Sequence, residues 1–169
     1  LNSNICVILS CPGEEELLNN KVAFGQTGKN LLRILKNINL KYSLIDKNFM
    51  FNDNDDQYQI SIINSYDHVY FREVNKAEPE EELILHEDNL KRLKDSINKI
   101  KKLEYIIICG NNAETAFESL NVQINAKKAF VSHLGNVGIR NKYNNSFSYG
   151  ENRIGSLPVD KRDEKRFEL

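Results

Sequence analysis

Residues 5–9, Ile-Cys-Val-Ile-Leu, decide the fold: they form an unbroken apolar run that ends in the turn Ser-Cys-Pro-Gly at residues 10–13. Such a run, bounded by turn residues, is typical of a strand buried on both faces, as in a parallel sheet. Outward along the chain, the pattern recurs at residues 59–64, at Tyr105–Cys109 and at residues 129–131. We therefore predict a central, mainly parallel sheet of four strands.

Helical patterns lie between these strands. Residues 29–37 carry apolar side chains at the spacing of one helical face, and residues 113–120 predict a short helix after the third strand. Residues 80–102 predict the longest helix, with an acidic first turn and an apolar stripe formed by Leu83, Leu90, Leu93, Ile97 and Ile100. Strands that alternate with helices predict an α/β fold, a three-layer α/β/α sandwich.

The remaining segments lack a clear apolar pattern. Residues 14–28, which include three consecutive glutamates, and the acidic stretch within residues 40–58 are predicted to be solvated loops. The tail after Val159 alternates in charge and is predicted to be an amphipathic helix.

The chain has 169 residues, of which 40% are hydrophobic and 28% charged, as in an ordinary globular protein. This length fits one domain, which we predict to span residues 1–169. The apolar runs are far too short to cross a bilayer, and no secretion signal begins the chain, so we expect a soluble cytoplasmic monomer with no membrane partner. Three cysteines without a CxxC pair argue against a disulfide framework or a thiolate metal site, and we expect no cofactor and no metal.

Charge is unevenly distributed along the chain. Residues 1–124 contain 14 basic and 19 acidic side chains, whereas residues 125–169 contain 9 basic and 5 acidic ones. The balanced total therefore does not exclude a nucleic-acid partner, and a polyanion is expected to approach the C-terminal third.

The carboxyl ends of the predicted strands carry small or polar residues. Ser10 and Cys11 follow the first strand, Asn64 ends the second, Gly110 follows the third and His133 follows the fourth. Because ligands bind outside the carboxyl ends of strands in a parallel sheet, we expect one site at this edge.

Two other chemistries are open on these residues. Residues 25–29, Gly-Gln-Thr-Gly-Lys, look like a phosphate loop, but the glycines are too close together and Asn30 replaces the Ser or Thr that would hold Mg²⁺. What remains is a glycine-rich helix start that can bind an anion. Cys11 or Ser10 could act as a nucleophile with His133 as its base, although no Gly-x-Ser-x-Gly surrounds them.

The order of these features resembles the uracil-DNA glycosylase superfamily over about residues 5–140. The similar segments are residues 10–16 (Ser-Cys-Pro-Gly-Glu-Glu-Glu), 23–32 (Ala-Phe-Gly-Gln-Thr-Gly-Lys-Asn-Leu-Leu), 62–64 (Ile-Ile-Asn), 82–86 (Glu-Leu-Ile-Leu-His), 105–113 and 131–135 (Val-Ser-His-Leu-Gly). The resemblance implies an α/β/α sandwich that acts on DNA, excising uracil or another modified pyrimidine by hydrolysis of its N-glycosidic bond.

The same resemblance implies roles for individual residues. Phe24 would stack on the extruded base and Asn64 would read its hydrogen-bonding edge, in a pocket completed by Cys11 and Gly13. His133 would stabilise the negative charge that develops on the departing pyrimidine. Catalytic water would be held by Ser10, with Glu15 or Glu16 as an acidic alternative, and the DNA backbone would be gripped by Gly28, Lys29, Lys128, Arg140 and Lys142.

The sequence also departs from the family pattern. Ser10 stands where many branches carry an acidic residue or Asn, and a hydroxyl is a poor base. His68 and His86 stand where the iron–sulfur branches carry cluster cysteines, and their spacing matches no standard metal site. These departures favour a metal-independent enzyme with a non-uracil base as its target, and they leave open a catalytically inactive nucleic-acid or nucleotide binding module.

Overall fold

The computed structural model describes residues 4–42, 60–70, 79–135 and 138–139 and the two short strands named below, with only the backbone described for residues 36–42. Its central sheet contains the strands β1 (Ile5–Leu9), β2 (Ser61–Asn64), β3 (Tyr105–Cys109) and β4 (Lys127–Val131). All pairings are parallel, in the order β2-β1-β3-β4. The predicted four-stranded parallel sheet is therefore confirmed. The strands β5 (Ser148–Tyr149) and β6 (Asn152–Arg153) form a separate antiparallel pair.

Helices cover both faces of the sheet. They are α1 (Glu14–Asn19), α2 (Gln26–Tyr42), α3 (Glu81–Ile84), α4 (Glu87–Asn98) and α5 (Asn111–Glu118). Because successive strand residues point to opposite faces, Ile8 and Ile63 pack with Leu93 and Phe117 of the helices α4 and α5. The opposite face forms what we name the α2 cluster, whose buried members are Val7, Leu9, Ala23, Leu31, Leu35, Ile60, Cys109 and Leu134. The predicted three-layer sandwich is thus confirmed.

The predicted helix over residues 80–102 is wrong in two respects: it ends at Asn98, and it is divided into α3 and α4 at Leu85 and His86. The cause is the buried side chain of Asn89, whose Nδ2 donates to the carbonyl of Ile84 at 2.7 Å. A side chain therefore satisfies a carbonyl that a continuous helix would have used. The break also rotates the apolar stripe, so that Ile84 is buried whereas Leu83 is exposed.

Other boundaries differ from the predictions by a few residues. The predicted loop over residues 14–28 contains α1 and the start of α2, because the three glutamates occupy the first turn of a helix, where negative charge is favourable. The helix α2 extends through Tyr42, three residues into the segment predicted as a second loop, while residues 43–59 and the tail after Val159 lie outside the described residues. The strand β3 has the predicted bounds. In the described part of the chain, no helix combines the length and the apolarity that a membrane span requires.

Candidate functional site

The four strand ends meet at one edge of the sheet. Asn112, in the first turn of α5, donates from Nδ2 to the Ser10 hydroxyl at 3.3 Å. Ser65 donates from Oγ to the Ser10 carbonyl at 2.7 Å, which connects the ends of β1 and β2. The Gly110 N–H donates to the Val131 carbonyl at 2.8 Å, which connects β3 to β4. The structure thus brings together the strand-end residues on which the sequence prediction of a site was based.

Asn64 is buried at this edge with an unsatisfied side chain. It is paired in register with Leu9, and since Ile63 points towards α4, the Asn64 side chain points to the face that carries α2. It is 9% exposed, and among the described residues its Oδ1 has no hydrogen-bond partner. A buried acceptor without a partner costs about 1–3 kcal/mol, so the fold tolerates a deficit that a ligand's N–H could remove.

The backbone of Asn64 is, by contrast, firmly held. Arg92 Nη2 donates to the carbonyls of Asn64 and Ser65, each at 3.0 Å. Asn89 accepts from Arg92 through Oδ1 and donates from Nδ2 to the Ser65 carbonyl at 2.9 Å. Sequence reasoning missed both residues. One signal was available in the sequence. Asn89 lies four residues before Leu93 and eight before Ile97, so it is a polar residue within an apolar stripe.

His133 lies against the turn that begins α5. Gly110 has a φ of +89°, and a Cβ at this position would lie 3.0 Å from the Cβ of His133, so the turn accepts only glycine. The N–H of Gly135 donates to Nδ1 of His133 at 2.9 Å. In the neutral imidazole the acceptor nitrogen carries no proton, so Nε2 carries it and is the donor.

The start of α2 holds the segment that follows His133. Asn30 is fully buried, accepts from Gln26 and donates from Nδ2 to the Leu134 carbonyl at 2.7 Å. Thr27 lies on the same side, with its Oγ1 4.0 Å from the position of a Cβ at Gly135. The role of Asn30 could not be anticipated, because its partner lies 104 residues away in the sequence.

Glu16 closes the loop that follows β1. Its two carboxylate oxygens accept from the N–H of Gly13 at 2.5 Å and from the N–H of Ala23 at 2.6 Å. Ala23 is itself held at a φ of 54°, an unfavourable conformation for a residue with a Cβ. Both oxygens of Glu16 are thus used to shape the loop. This leaves Glu15, whose Oε2 lies 3.2 Å from the position of a Cβ at Gly25, as the acidic candidate.

Three of the predicted base-site residues lie next to members of the α2 cluster. Phe24 follows the buried Ala23, His133 precedes the buried Leu134, and Asn64 is paired with the buried Leu9. The three segments therefore pass along the same face of the sheet, the one that α2 covers. Phe24 is half-buried, and the ammonium of Lys21 lies 5.7 Å from its ring centroid.

The turn after β1 is fixed by the segment after β2. The N–H of Tyr66 donates to the Ser10 carbonyl, and the N–H of Tyr70 donates to the Pro12 carbonyl, each at 3.0 Å. Cys11 and Gly13, on either side of Pro12, are half-buried. The two other cysteines are fully buried, and burial raises the pKa of the Cys6 and Cys109 thiols to about 12. Cys11 is thus the more accessible thiol at the edge.

The predicted DNA-backbone residues are partly described. Gly28 is buried in the first turns of α2, while Lys29 next to it is exposed. Lys128 is exposed on β4, with its ammonium 5.3 Å from the ring centroid of Phe117. Arg140 and Lys142 lie outside the described residues. Of the predicted DNA-backbone cations, the two in the described residues therefore lie at the start of α2 (Lys29) and on β4 (Lys128).

His68 and His86 line a common cavity of about 370 Å³ between the end of β2 and the start of α4. Asp67, Asp88 and Arg92 also line it, and Arg92 Nε lies 3.5 Å from Asp67 Oδ2. Within the described ranges, no three His, Cys, Asp or Glu side chains are grouped as a metal site. The cavity is lined by both polar and apolar side chains and lies on the opposite side of β2 from the α2 cluster.

No family model matches the sequence, and no curated protein matches it either.

Proposed function

We propose that this protein is a monofunctional DNA base N-glycosylase that hydrolyses the N-glycosidic bond of uracil or another modified pyrimidine and leaves an abasic site. The observation that carries the proposal is Asn64, a buried side chain at the carboxyl edge of a parallel sheet, whose Oδ1 has no hydrogen-bond partner in the described part of the chain. An amide donates and accepts at once, which matches the hydrogen-bonding edge of a nucleobase. The supporting features are the resemblance to uracil-DNA glycosylases and the positions of Phe24 and His133.

Excision requires that the target base leave the DNA stack, which costs a few kcal/mol. An aromatic ring that stacks on the extruded base returns about 1–3 kcal/mol. Phe24 is assigned this role because it follows Ala23, which packs in the α2 cluster on the face to which Asn64 points. Asn64 then pairs with the base edge, and its buried Oδ1 gains an N–H partner that the described residues do not provide.

Bond cleavage leaves negative charge on O2 of the departing pyrimidine. A donor directed at that oxygen acts as an oxyanion hole does, and such a donor contributes about 3–4 kcal/mol. His133 is suited to this role because the Gly135 N–H occupies Nδ1 and leaves the proton on Nε2. A neutral imidazole therefore suffices as the donor.

Water must then attack the sugar carbon. Ser10 is buried and its Oγ accepts from Asn112, so the hydroxyl proton is directed away from Asn112 and can hold a water oxygen. Glu15 is the acidic alternative, since Glu16 is engaged by the backbone. The resemblance to uracil-DNA glycosylases places no lysine of this sequence in a nucleophile position, and we therefore assign hydrolysis without strand cleavage.

The proposed partner is DNA. Lys29 is assigned a phosphate contact, as are Arg140 and Lys142 from the basic C-terminal third, whereas Lys128 lies against Phe117 on the opposite face of the sheet and is not assigned one. Contacts of this kind make binding steeply dependent on salt concentration. The proposed setting is base repair or attack on modified foreign DNA, in the cytoplasm and by a monomer.

The test is incubation of the purified protein with oligonucleotides that each carry one modified pyrimidine, followed by heating in alkali to break abasic sites. We expect strand breaks with at least one base, and a large loss of rate in Asn64→Ala and His133→Ala. Lys91→Met, an exposed change on α4, serves as the control and should keep the wild-type rate. The absence of breaks across the whole panel would refute the proposal.

A second candidate function is a binding module of the same fold without catalysis. The observation that favours it is the Ser10 hydroxyl, which accepts from Asn112 where a carboxylate would be the stronger base. Salt-sensitive DNA binding without an abasic product would select this function. The variant Ser10→Asp separates the two, because its carboxylate can accept from Asn112 and would raise the excision rate of an enzyme only.

A further inference from the structure

We infer that Asn89 and Arg92 of helix α4 are positioning residues for the base-reading Asn64. This inference rests on the proposed function, and it adds a helix on the opposite face of the sheet to the site. We call Asn89 and Arg92 the α4 bracket.

The α4 bracket donates hydrogen bonds to the backbone carbonyls at the carboxyl end of β2. Arg92 Nη2 donates to the carbonyls of Asn64 and Ser65 at 3.0 Å each, and Asn89 Nδ2 donates to the Ser65 carbonyl at 2.9 Å. The two bracket residues are joined by bonds of 2.9 and 3.2 Å from the guanidinium to Asn89 Oδ1. Asn89 Nδ2 also reaches the Ile84 carbonyl at 2.7 Å, which connects the bracket to α3.

These bonds define the orientation of Asn64 indirectly. The Asn64 side chain has no partner for its Oδ1 among the described residues, so no contact of that atom fixes it. Its direction is set by the backbone at Asn64 and Ser65, which the bracket holds from one side. On the other side, the Ser65 hydroxyl donates to Ser10, so the base-reading and water-holding residues share this frame.

The chemistry of the bracket is specific to these two side chains. Both carbonyls accept from Nη2, whereas Asn89 Oδ1 accepts from Nη2 and Nε together, which needs the fixed fork of a guanidinium. Burial lowers the pKa of Arg92 and the neighbouring Asp67 raises it, as expected for a cation held between carbonyls and one carboxylate. A lysine would keep the charge but would not span the same acceptors. Arg92→Lys is therefore a conservative variant that keeps only part of the bracket.

The experiment is a double-mutant cycle on the excision rate under single-turnover conditions. Arg92→Met is measured in the wild-type protein and in Asn64→Ala, with Lys91→Met as the exposed control on the same helix. A misplaced reactive group lowers rates by about 10- to 100-fold, and we expect Arg92→Met to do so in the wild type. In Asn64→Ala it should lower the rate less than about 3-fold, because residues that act through one another are not additive.

A purely structural role predicts a different result. Loss of folded protein would lower the rate by the same factor in both backgrounds, and that additivity would overturn the inference. If Arg92→Met folds poorly, Arg92→Lys serves as the second test. It should retain the wild-type unfolding midpoint and show an intermediate excision rate, again only when Asn64 is present. An unchanged rate in both Arg92 variants would also overturn the inference.

A second readout does not require activity. The side-chain amide of Asn64 is observed by NMR in ¹⁵N-labelled protein and assigned with Asn64→Ala. Arg92→Met should shift or broaden this signal, whereas Lys91→Met should not. If the wild-type protein excises no base, the proposed function fails, and an undisturbed Asn64 signal in Arg92→Met would show that the positioning inference fails as well.

Discussion

Replacing Asn64 by Leu should leave the fold at least as stable as the wild type while it abolishes base excision. Leu has nearly the shape of Asn but no polar atoms. In the wild type, Asn64 is buried and its Oδ1 has no partner among the described residues. A polar side chain in such a position is a cost to folding that function would explain.

The expected change in the free energy of unfolding follows from the removal of Asn64 Oδ1. An unsatisfied buried acceptor costs about 1–3 kcal/mol, and Leu removes this cost. The new methyl groups point to the face of the α2 cluster, where Leu9 is the register partner, and each buried methyl-sized group adds about 0.8 kcal/mol if it fits. An imperfect fit of the leucine side chain lowers the free energy of unfolding by about 1 kcal/mol or more. We expect the free energy of unfolding to remain unchanged or to rise by about 1–2 kcal/mol.

The assay is urea denaturation followed by far-ultraviolet circular dichroism, since the chain has no Trp. Ser61→Ala is a matched control on the same strand, because Ser61 Oγ is also buried without a described partner but lies at the opposite end of β2. Both variants should be at least as stable as the wild type, and only Asn64→Leu should lose activity. A fall of more than about 2 kcal/mol for Asn64→Leu would show that the amide is satisfied in the folded protein and would refute the reasoning.

Three further outcomes are expected. Asn30→Leu should lower the free energy of unfolding by about 2–3 kcal/mol in the same denaturation assay, because it leaves a buried carbonyl without its donor; an unchanged midpoint would contradict the 2.7 Å bond. Gly110→Ala should lower both the unfolding midpoint and the excision rate, since the positive φ disfavours a side chain and the new methyl group would press on His133; normal activity would show that the turn can move. Above the ordinary thiol pKa of 9.0, Cys6 and Cys109 ionise in the unfolded chain but stay protonated in the folded one. The free energy of unfolding should therefore fall by about 1.4 kcal/mol per pH unit for each thiol, up to about pH 12. Replacing both cysteines by Ala should remove that part of the slope in denaturation titrations.

The sheet could be predicted because its signal is local. Strands buried on both faces are continuous apolar runs, and β3 was predicted with its observed bounds. The division between α3 and α4 could not be predicted in this way. Leu83 and Leu90 lie seven residues apart and fit one helical stripe, and hydropathy does not register a side chain that hydrogen-bonds to a backbone carbonyl, as Asn89 does.

The same distinction applies to the candidate site. Ser10, Asn64 and His133 were predicted as site residues because a topological rule places ligands outside the carboxyl ends of strands. Asn30 and Asn112 were missed because each acts on a partner more than a hundred residues away, and no local pattern marks such a pair. Residues that would touch the base were therefore accessible from the sequence, whereas those that hold the frame were not.

Several polar side chains near this edge donate to backbone carbonyls, and this shared arrangement bears on the proposed catalysis. Asn30, Ser65 and Arg92 direct their donors to backbone carbonyls at the ends of the strands, and these bonds satisfy groups that would otherwise be buried without partners. The frame is therefore complete before any ligand arrives.

Asn64 is the exception, because its Oδ1 lacks a described partner. Under the proposed function, a frame that is already ordered reduces the entropy that the protein must lose when a base binds, and Asn64 Oδ1 would gain its hydrogen bond from the base. This predicts that modified pyrimidine bases alone bind weakly but selectively, and that binding of the preferred base raises the unfolding temperature of the wild type and not of Asn64→Leu. Equal stabilisation of both proteins would place the base elsewhere and separate the fold from the proposed chemistry.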